Sequence, residues 1–179
     1  MSMKRLTVVP ERCSGCRLCE LSCAIHRFGS NNPKKASIRI ISLYPHPVVR
    51  MPIVCKQCKD PVCRDSCPTG AITVEDGIVA IDDEKCISCQ SCVISCPNGA
   101  IFVHSDIDTP FKCDLCGGDP VCANVCPKKA ILFVPEHTLG QVHRMASALG
   151  YAHLQEVEYW EHGIKKTLQY ADIGEDKLE

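Results

Sequence analysis

Sixteen of the 179 residues are cysteines, and they fall into four groups of four. In chain order the groups are Cys13, Cys16, Cys19 and Cys23; Cys55, Cys58, Cys63 and Cys67; Cys86, Cys89, Cys92 and Cys96; and Cys113, Cys116, Cys122 and Cys126. The first and third groups share the spacing C-x2-C-x2-C-x3-C, whereas the central gap has four residues in the second group and five in the fourth. No cysteine lies outside the groups, so each group is expected to act as a unit.

This spacing is typical of the ligands of 4Fe-4S clusters. A cubane cluster needs one thiolate at each of its four irons, and a tight C-x2-C-x2-C loop supplies three of them. In bacterial ferredoxins the last cysteine of the run, followed by proline, ligates the other cluster of a pair. Pro68, Pro97 and Pro127 occupy that place, while the first group has Ala24 there, which predicts a different turn after Cys23. The sequence therefore predicts four 4Fe-4S clusters.

Zinc and disulfides are the two alternatives for so many cysteines. Structural zinc sites usually take two C-x2-C pairs separated by a longer loop, whereas here three cysteines crowd into one turn in each group. Disulfide-stapled scaffolds are mostly short secreted chains, and this chain shows no apolar signal segment. A zinc-stabilised interaction module stays open as an alternative of another functional class.

Composition excludes several other classes. The formal net charge is -1, with 20 basic and 21 acidic residues, which argues against a nucleic-acid surface. The longest apolar runs are too short for a membrane-spanning helix, so we expect no membrane insertion and a cytoplasmic location. Aromatic residues make up only 5% of the chain, which predicts a thin apolar core and a fold that depends on bound metal.

An internal repeat indicates how the groups are arranged. Asp60-Pro61-Val62-Cys63 reappears as Asp119-Pro120-Val121-Cys122, as expected of a duplicated ferredoxin. Only 18 residues separate the second group from the third, against 31 between the first and the second, so the second and third groups are expected to pair. We therefore predict an α+β fold of two nested ferredoxin-like modules. The outer module comprises residues 1–49 and 105–135, the inner module residues 50–104, and a C-terminal arm residues 136–179.

Short strands and helical turns are predicted between the cysteines. Strands are expected after each Cys-Pro, at 71–74, 100–103 and 130–134. Glu75-Asp76-Gly77 is a turn signal that makes a hairpin with the return strand 78–81. A second hairpin is predicted from strands at 38–43 and 48–54, and it either faces a partner or is a solvated decoration. Helical turns are expected within each cysteine group.

The groups, their spacings and the Cys-Pro endings resemble the four-cluster iron-sulfur subunits of the dimethyl sulfoxide reductase class. Relatives in that class serve hydrogenases, formate dehydrogenases and tungsten aldehyde oxidoreductases. The resemblance covers about residues 5–135. The compact size and the short fourth group are most similar to the small subunit of aldehyde oxidoreductase-type tungsten enzymes, including the benzoyl-CoA reductases of anaerobic bacteria. The long gaps common in that family's fourth group are absent here.

The resemblance implies crossed ligation of the clusters. Three cysteines of one group would join the last cysteine of its partner group. The implied sets are Cys13, Cys16, Cys19 with Cys126; Cys113, Cys116, Cys122 with Cys23; Cys55, Cys58, Cys63 with Cys96; and Cys86, Cys89, Cys92 with Cys67.

The chain offers no motif for catalysis of its own. Nucleotide-binding, haem-attachment and nucleophile signatures are absent from the sequence. His26 follows the first group and is a candidate to tune or replace a cluster ligand, although a surface role is the simpler interpretation. Five basic residues near the groups are candidates to raise a reduction potential or to dock an acidic partner, or are simply solvated: Lys56, Lys59, Arg64, Lys128 and Lys129.

The last forty-odd residues contain no cysteine. Apolar residues at helical spacing predict a helix from Leu139 to Leu149, with Gly150 as its stop. Most of the chain's tyrosines and its single tryptophan follow: Tyr151, Tyr159, Trp160 and Tyr170. Such aromatics suit an arm that packs on another subunit, and the alternative is that the tail folds back over its own module.

Together these features predict an electron-transfer subunit rather than a catalyst. It would carry single electrons between a redox partner and a catalytic subunit that holds a tungsten or molybdenum pterin. The competing interpretation is a free-standing polyferredoxin that diffuses between enzymes.

Overall fold

The computed structural model describes residues 3–43, 49–152, 156–161 and 164–169. This part of the chain combines short helices with antiparallel two-stranded sheets. The strands are β1 (Lys4–Val8), β2 (Ile38–Leu43), β3 (Val49–Val54), β4 (Ile72–Glu75), β5 (Ile78–Ile81), β6 (Ile101–His104), β7 (Ile107–Lys112), β8 (Ile131–Pro135), β9 (Glu156–Glu161) and β10 (Ile164–Gln169). The helices are α1 (Leu18–Phe28), α2 (Val62–Asp65), α3 (Ser91–Ser95), α4 (Val121–Asn124) and α5 (Leu139–Ala152).

The first strand pairs with the strand that follows the fourth cysteine group. β1 and β8 are antiparallel, with Leu6 opposite Phe133 at the centre of the register. Two further backbone hydrogen bonds extend the pair, from Val9 N to Ala130 O at 2.8 Å and from Glu136 N to Met3 O at 2.9 Å. Strand β1 was not predicted from the sequence, and its pairing brings the chain start beside the fourth group.

Two of the hairpins follow the sequence signals closely. β4 and β5 flank Asp76 and Gly77, which have positive φ of 48° and 74°. Two positive φ angles in a two-residue loop are the requirement of a type I′ turn, and glycine meets it without strain. β2 pairs with β3 so that Ile40 faces Pro52, a position tolerable for proline because the sheet has only two strands. The predicted start of the second strand, Val48, lies outside the described residues.

The length of each helix in a cysteine group depends on whether a proline follows the last cysteine of that group. α2, α3 and α4 have four or five residues and end just before a Cys-Pro, because a residue before proline disfavours the helical conformation. In the first group Ala24 replaces the proline, and α1 continues through Cys23 to Phe28. The predicted difference after Cys23 is confirmed.

In the part of the chain that the structure describes, the buried apolar side chains form three small clusters. One lies around α1, β2 and α4, one in the sheet β4–β5 with α3, and one on the sheet β1–β8. In the last of these, Val142 of α5 packs on Val9, Leu132 and Val134, and both Val134 and Val142 are fully buried. The beginning of the C-terminal segment therefore packs on the chain's own sheet.

The end of this segment departs from the prediction. Gly150 does not stop helix α5, which continues to Ala152, so that prediction is wrong. An internal glycine costs a helix only about 1 kcal/mol, so glycine by itself does not end one. The antiparallel pair β9–β10 was not predicted. Tyr170 lies outside the described residues.

The proposed module boundaries fall within two hairpins. β2–β3 spans the boundary near residue 49, and β6–β7 spans the one near residue 104. Over the described ranges, no helix combines the length and apolarity needed to cross a bilayer.

Candidate metal centre

The first Cys-x2-Cys loop of each group has one backbone feature in common with the other three. In each loop the residue before the second cysteine has a left-handed conformation. These residues are Gly15, Gln57, Ser88 and Leu115, with φ of 75°, 48°, 58° and 58°. Successive right- and left-handed residues turn their N–H groups into one concavity, an arrangement found at many anion and Fe-S sites. Three of the four residues are not glycine, so the surrounding structure holds these loops in an unfavourable conformation.

A second feature recurs after each Cys-Pro. Gly70, Gly99 and Lys129 have φ of 65°, 57° and 48°, and an alanine follows each of them. The N–H of Ala100 donates to Cys96 Sγ at 3.4 Å, and that of Ala130 donates to Cys126 Sγ at 3.3 Å. These two bonds hold the sulfur atoms of Cys96 and Cys126 in a fixed position relative to the turn.

The first group obtains the same bond from another part of the chain. α1 carries Cys23, whose Sγ accepts a hydrogen bond from Ser37 N at 3.3 Å. Ser37 is buried just before β2. The inserted hairpin thus supplies the donor that the missing Cys-Pro turn supplies elsewhere.

The cysteines meet in sets that each combine two groups. A cavity of about 20 Å³, here called quartet A, contains the first three cysteines of the first group and the last of the fourth: Cys13, Cys16, Cys19 and Cys126. A larger cavity of about 250 Å³, quartet B, is lined by Cys23, Cys113, Cys116 and Cys122. A third of about 10 Å³, quartet D, is lined by Cys67, Cys86, Cys89 and Cys92.

Of the remaining cysteines, Cys55 and Cys96 both act on Cys63, and together with Cys58, which follows Cys55 in the same loop, they are called quartet C. Burial raises the pKa of the Cys63 thiol, and the neighbouring Cys55 and Cys96 raise it further. Cys58 lies on the wall of a wider groove of about 660 Å³.

Burial and hydrogen bonding shift the pKa values of the cysteines in opposite directions. It raises the pKa of Cys19 and of Cys113 to about 12, and it also raises that of Cys122. In quartet D the Ser91 hydroxyl, 3.4 Å away, lowers the pKa of Cys89. At neutral pH the free thiols of Cys19 and Cys113 are protonated, so binding a metal there must release their protons.

Thiolates also influence each other across the quartets. Burial is the main cause of the raised pKa values at Cys122, Cys113 and Cys92, and a cysteine of the adjacent quartet adds to it in each case. The interacting pairs are Cys19 with Cys122, Cys55 with Cys113, and Cys63 with Cys92. These pairs place the quartets next to one another in the order A, B, C, D.

The other residues singled out from the sequence lie at the surface. His26 is exposed at the rim of the cavity of quartet B. The five basic candidates are all exposed: Lys56, Lys59, Arg64, Lys128 and Lys129. Sequence reasoning missed Glu20, Gln57 and Lys112, which are polar but buried. Each is next to or between cysteines of a group, and that adjacency is the only signal the sequence contains.

The donor chemistry fits iron-sulfur clusters. Four thiolates are the ligand set of a 4Fe-4S cluster, and N–H groups directed at sulfur occur repeatedly here. Across the described ranges, no three His, Cys, Asp or Glu side chains are close enough to bind one metal ion together. A cubane differs from such a site, because its thiolates are bound to four separate irons.

Comparison with known families supports the same chemistry. Residues 47–136 match the model of the 4Fe-4S dicluster domain, and residues 10–25 match that of a 4Fe-4S binding domain. The polyferredoxin-like subunit of aliphatic sulfonate oxidoreductase from Pyrococcus furiosus is 38% identical over 68% of this chain and 70% of its own length. The probable anaerobic dimethyl sulfoxide reductase chain YnfG of Escherichia coli K12 is 35% identical over 77% of this chain and 76% of its own.

A solved structure is also similar. It is a chain of the active site complex BamBC of benzoyl-coenzyme A reductase, with a TM-score of 0.46 and 23% identity over 84% of this chain and 91% of that one. The matched cysteine-bearing regions and the curated relatives agree with the resemblance expected from the cysteine spacing. The chain belongs to the 4Fe-4S dicluster family of ferredoxin-type iron-sulfur proteins.

Proposed function

We propose that this chain is the electron-transfer subunit of an oxidoreductase complex and holds one 4Fe-4S cluster in each of its four quartets. The observation that carries the proposal is the composition of quartets A, B and D, each of which joins three cysteines of one group to the last cysteine of another. In quartet C, Cys55 and Cys63 of one group meet the last cysteine of the other, Cys96. Each 4Fe-4S cluster, when bound, takes up and releases a single electron. The ligands are the sixteen cysteines, in the four crossed sets implied by the resemblance.

The two ends of the series are open to partners. All sixteen cysteines are described, and only Cys16 in quartet A and Cys89 in quartet D are exposed. Ile87, which lines the same cavity as Cys89, is 64% exposed, and Leu18, which lines the same cavity as Cys16, is 43% exposed. Apolar side chains next to an accessible ligand suit docking surfaces from which water is excluded on binding. Electrons would therefore enter at one end quartet and leave at the other.

The proposed partner is a catalytic subunit that holds a tungsten or molybdenum pterin, with a second redox protein as donor or acceptor. Support comes from relatives that bear the names of oxidoreductase subunits. The proposal includes the nested arrangement, in which quartets A and B form the outer module and C and D the inner one. It also places the complex in the cytoplasm of an anaerobic cell.

Metal analysis of the anaerobically purified chain tests the cluster count. Four cubanes require about sixteen irons and sixteen sulfides per chain. A value near twelve would mean that one quartet is incomplete, and zinc as the dominant metal would contradict the proposal.

Purification from the native host under anaerobic conditions tests the role as a subunit. We expect stoichiometric recovery with a larger tungsten- or molybdenum-containing chain. Recovery of the chain alone, fully loaded with iron, would instead indicate a freely diffusing polyferredoxin.

A further inference from the structure

Lys112 is a buried lysine at the junction between quartets B and C. Only 2% of the residue is exposed, and it is the last residue of β7, directly before Cys113 of quartet B. Its Nζ reaches Gln57, which lies between Cys55 and Cys58 of quartet C, with an Nζ to Oε1 distance of 3.5 Å. One side chain therefore bridges the loops that carry the two quartets.

The contacts of Lys112 Nζ match an ammonium group. Nζ donates to the carbonyl oxygen of Cys113 at 2.8 Å, to that of Val79, and to the side-chain oxygen of Gln57. Three acceptors satisfy the three N–H bonds of an ammonium, which has no lone pair to offer. Within the described part of the chain, no carboxylate forms an ion pair with Lys112.

A buried cation without a carboxylate partner is costly unless another negative charge compensates for it. The nearest sources of such charge are the cysteine thiolates. Lys112 favours the thiolate of Cys63 in quartet C as well as that of Cys113 in quartet B. A cluster with four thiolates is negatively charged and becomes more so on reduction, so the cation stabilises the reduced form more than the oxidised form.

We propose that the fixed positive charge of Lys112 raises the reduction potentials of the two central clusters, those of quartets B and C, relative to the end clusters. This inference rests on the proposed function. Lys112 is then a positioning residue, which places a positive charge beside the path of the electrons. An electron that passes between the two central clusters leaves one as it enters the other. Because both clusters lie near the same cation, no proton needs to move. Lys112 therefore favours the entry of an electron from an end cluster into the central pair, and it leaves the driving force between the two central clusters little changed.

Gln57 fixes the geometry of this junction. Its Nε2 donates to Cys113 O at 2.8 Å, and its Oε1 accepts from Val79 N at 2.9 Å. A purely architectural role for Lys112, as a hydrogen-bond donor that joins the loops, is the alternative to be separated by experiment.

Two substitutions separate charge from hydrogen bonding. Lys112→Gln retains a donor and removes the charge, whereas Lys112→Met removes both. Lys85→Gln is the matched control, because Lys85 likewise directly precedes a cysteine group but is solvent-exposed and paired with Asp82. Redox titration of the cluster-loaded chain, followed by paramagnetic resonance, would give the potential of each cluster.

At a fixed potential, we expect both Lys112 variants to lower the ratio of reduced to oxidised cluster about tenfold at two of the four sites. For a one-electron couple, this corresponds to a decrease of about 59 mV in the reduction potential. At the two end clusters the same ratio should change by less than about twofold. The Lys85→Gln variant should leave the ratio unchanged at all four clusters. Unchanged potentials in an iron-replete Lys112→Gln chain would overturn the inference while leaving the proposed function intact. A shift in Lys112→Met alone would overturn it in favour of the architectural role.

A second variant covers the case in which Lys112 variants fail to assemble. Gln57→Glu places a negative charge beside Lys112 Nζ, so it should lower the same two potentials. An unchanged or raised pair of potentials in that variant would overturn the inference. Absence of iron from the unmodified chain would instead contradict the proposed function itself.

Discussion

Arg27 and Asp114 form a salt bridge of 2.7 Å that ties helix α1 of the first cysteine group to the loop of the fourth. The same guanidinium nitrogen donates to the carbonyl oxygen of Lys112 at 2.8 Å. Arg27 therefore holds the helix that carries Cys23 against the loop that begins with Cys113, and both cysteines line quartet B.

Replacing Arg27 with glutamine should weaken this attachment. We expect a loss of about 1–2 kcal/mol in the free energy of unfolding, since a charge-assisted bond and a partly exposed ion pair are both removed. The measurement is the rate of iron release at a fixed denaturant concentration, which should rise about tenfold. Arg64→Gln is the control, because Arg64 pairs with its exposed neighbour Asp65 and joins no distant segments. Equal rates for the two variants would show that the link between α1 and the loop is not important for stability.

Crossed ligation predicts that a cluster is lost at a distance from the mutated group. Cys126→Ser should damage the cluster of Cys13, Cys16 and Cys19, and Cys23→Ser should damage the cluster of the fourth group's loop. Low-temperature paramagnetic spectra of the two variants, compared with that of the unmodified chain, would assign the lost signals. In the inner module, Cys67→Ser and Cys96→Ser form the equivalent pair. Loss of each variant's own loop cluster alone would refute the pairing.

Cluster retention should depend on pH with a defined sign. Burial raises the pKa of Cys19 and Cys113 to about 12, so both thiols hold protons at neutral pH when no metal is bound. Protons compete with iron for these ligands, and iron content should fall as the pH is lowered from about 8 to about 5. Iron content and the visible absorbance of the clusters would be followed together under argon. Quartet D should lose its cluster last, because the lowered pKa of Cys89 makes this ligand harder to protonate.

The metal-free chain should respond to pH in the opposite direction. Its folded-state thiols with raised pKa contribute stability that is fully present below about pH 9 and is lost as the pH rises towards 12. A chelator-treated sample, monitored by circular dichroism, should therefore lose residual structure on the alkaline side. Better retention of structure at alkaline than at neutral pH would contradict this.

Truncation after Ala152 should separate assembly from partner binding. This cut keeps Val142 in its contact with Val134 and removes β9, β10 and the residues beyond. We expect full iron content, with loss of stable association measured by copurification. Truncation after Pro135 is the comparison, and it should also destabilise the chain by about 1–3 kcal/mol because it uncovers Val134 and Leu132. An intact complex after the first cut would place the contact elsewhere, such as on hairpin β2–β3.

Local signals in the sequence predicted local structure well. The turn at Asp76-Gly77 and the early stop of α2, α3 and α4 each follow from one or two residues with fixed backbone preferences. Strand β7 was missed, because Asp108 and Pro110 are poor strand formers and its pairing with β6 compensates for them. Lys112 is a residue type that is usually exposed, and its burial depends on Gln57 and Val79, which are far away in the chain.

The pairing of β1 with β8 has a consequence for biosynthesis. Strand Lys4–Val8 is made before its partner Ile131–Pro135, which follows more than a hundred residues later. Until then the strand has an open hydrogen-bonding edge, which is a template for pairing with another nascent chain. In the proposed ligation the outer quartets need Cys113, Cys116, Cys122 and Cys126, so their clusters can be completed only after the fourth group is made, whereas the inner loops are available earlier. A folding order that keeps strand β1 shielded until β8 is made would lower the risk of such pairing during synthesis.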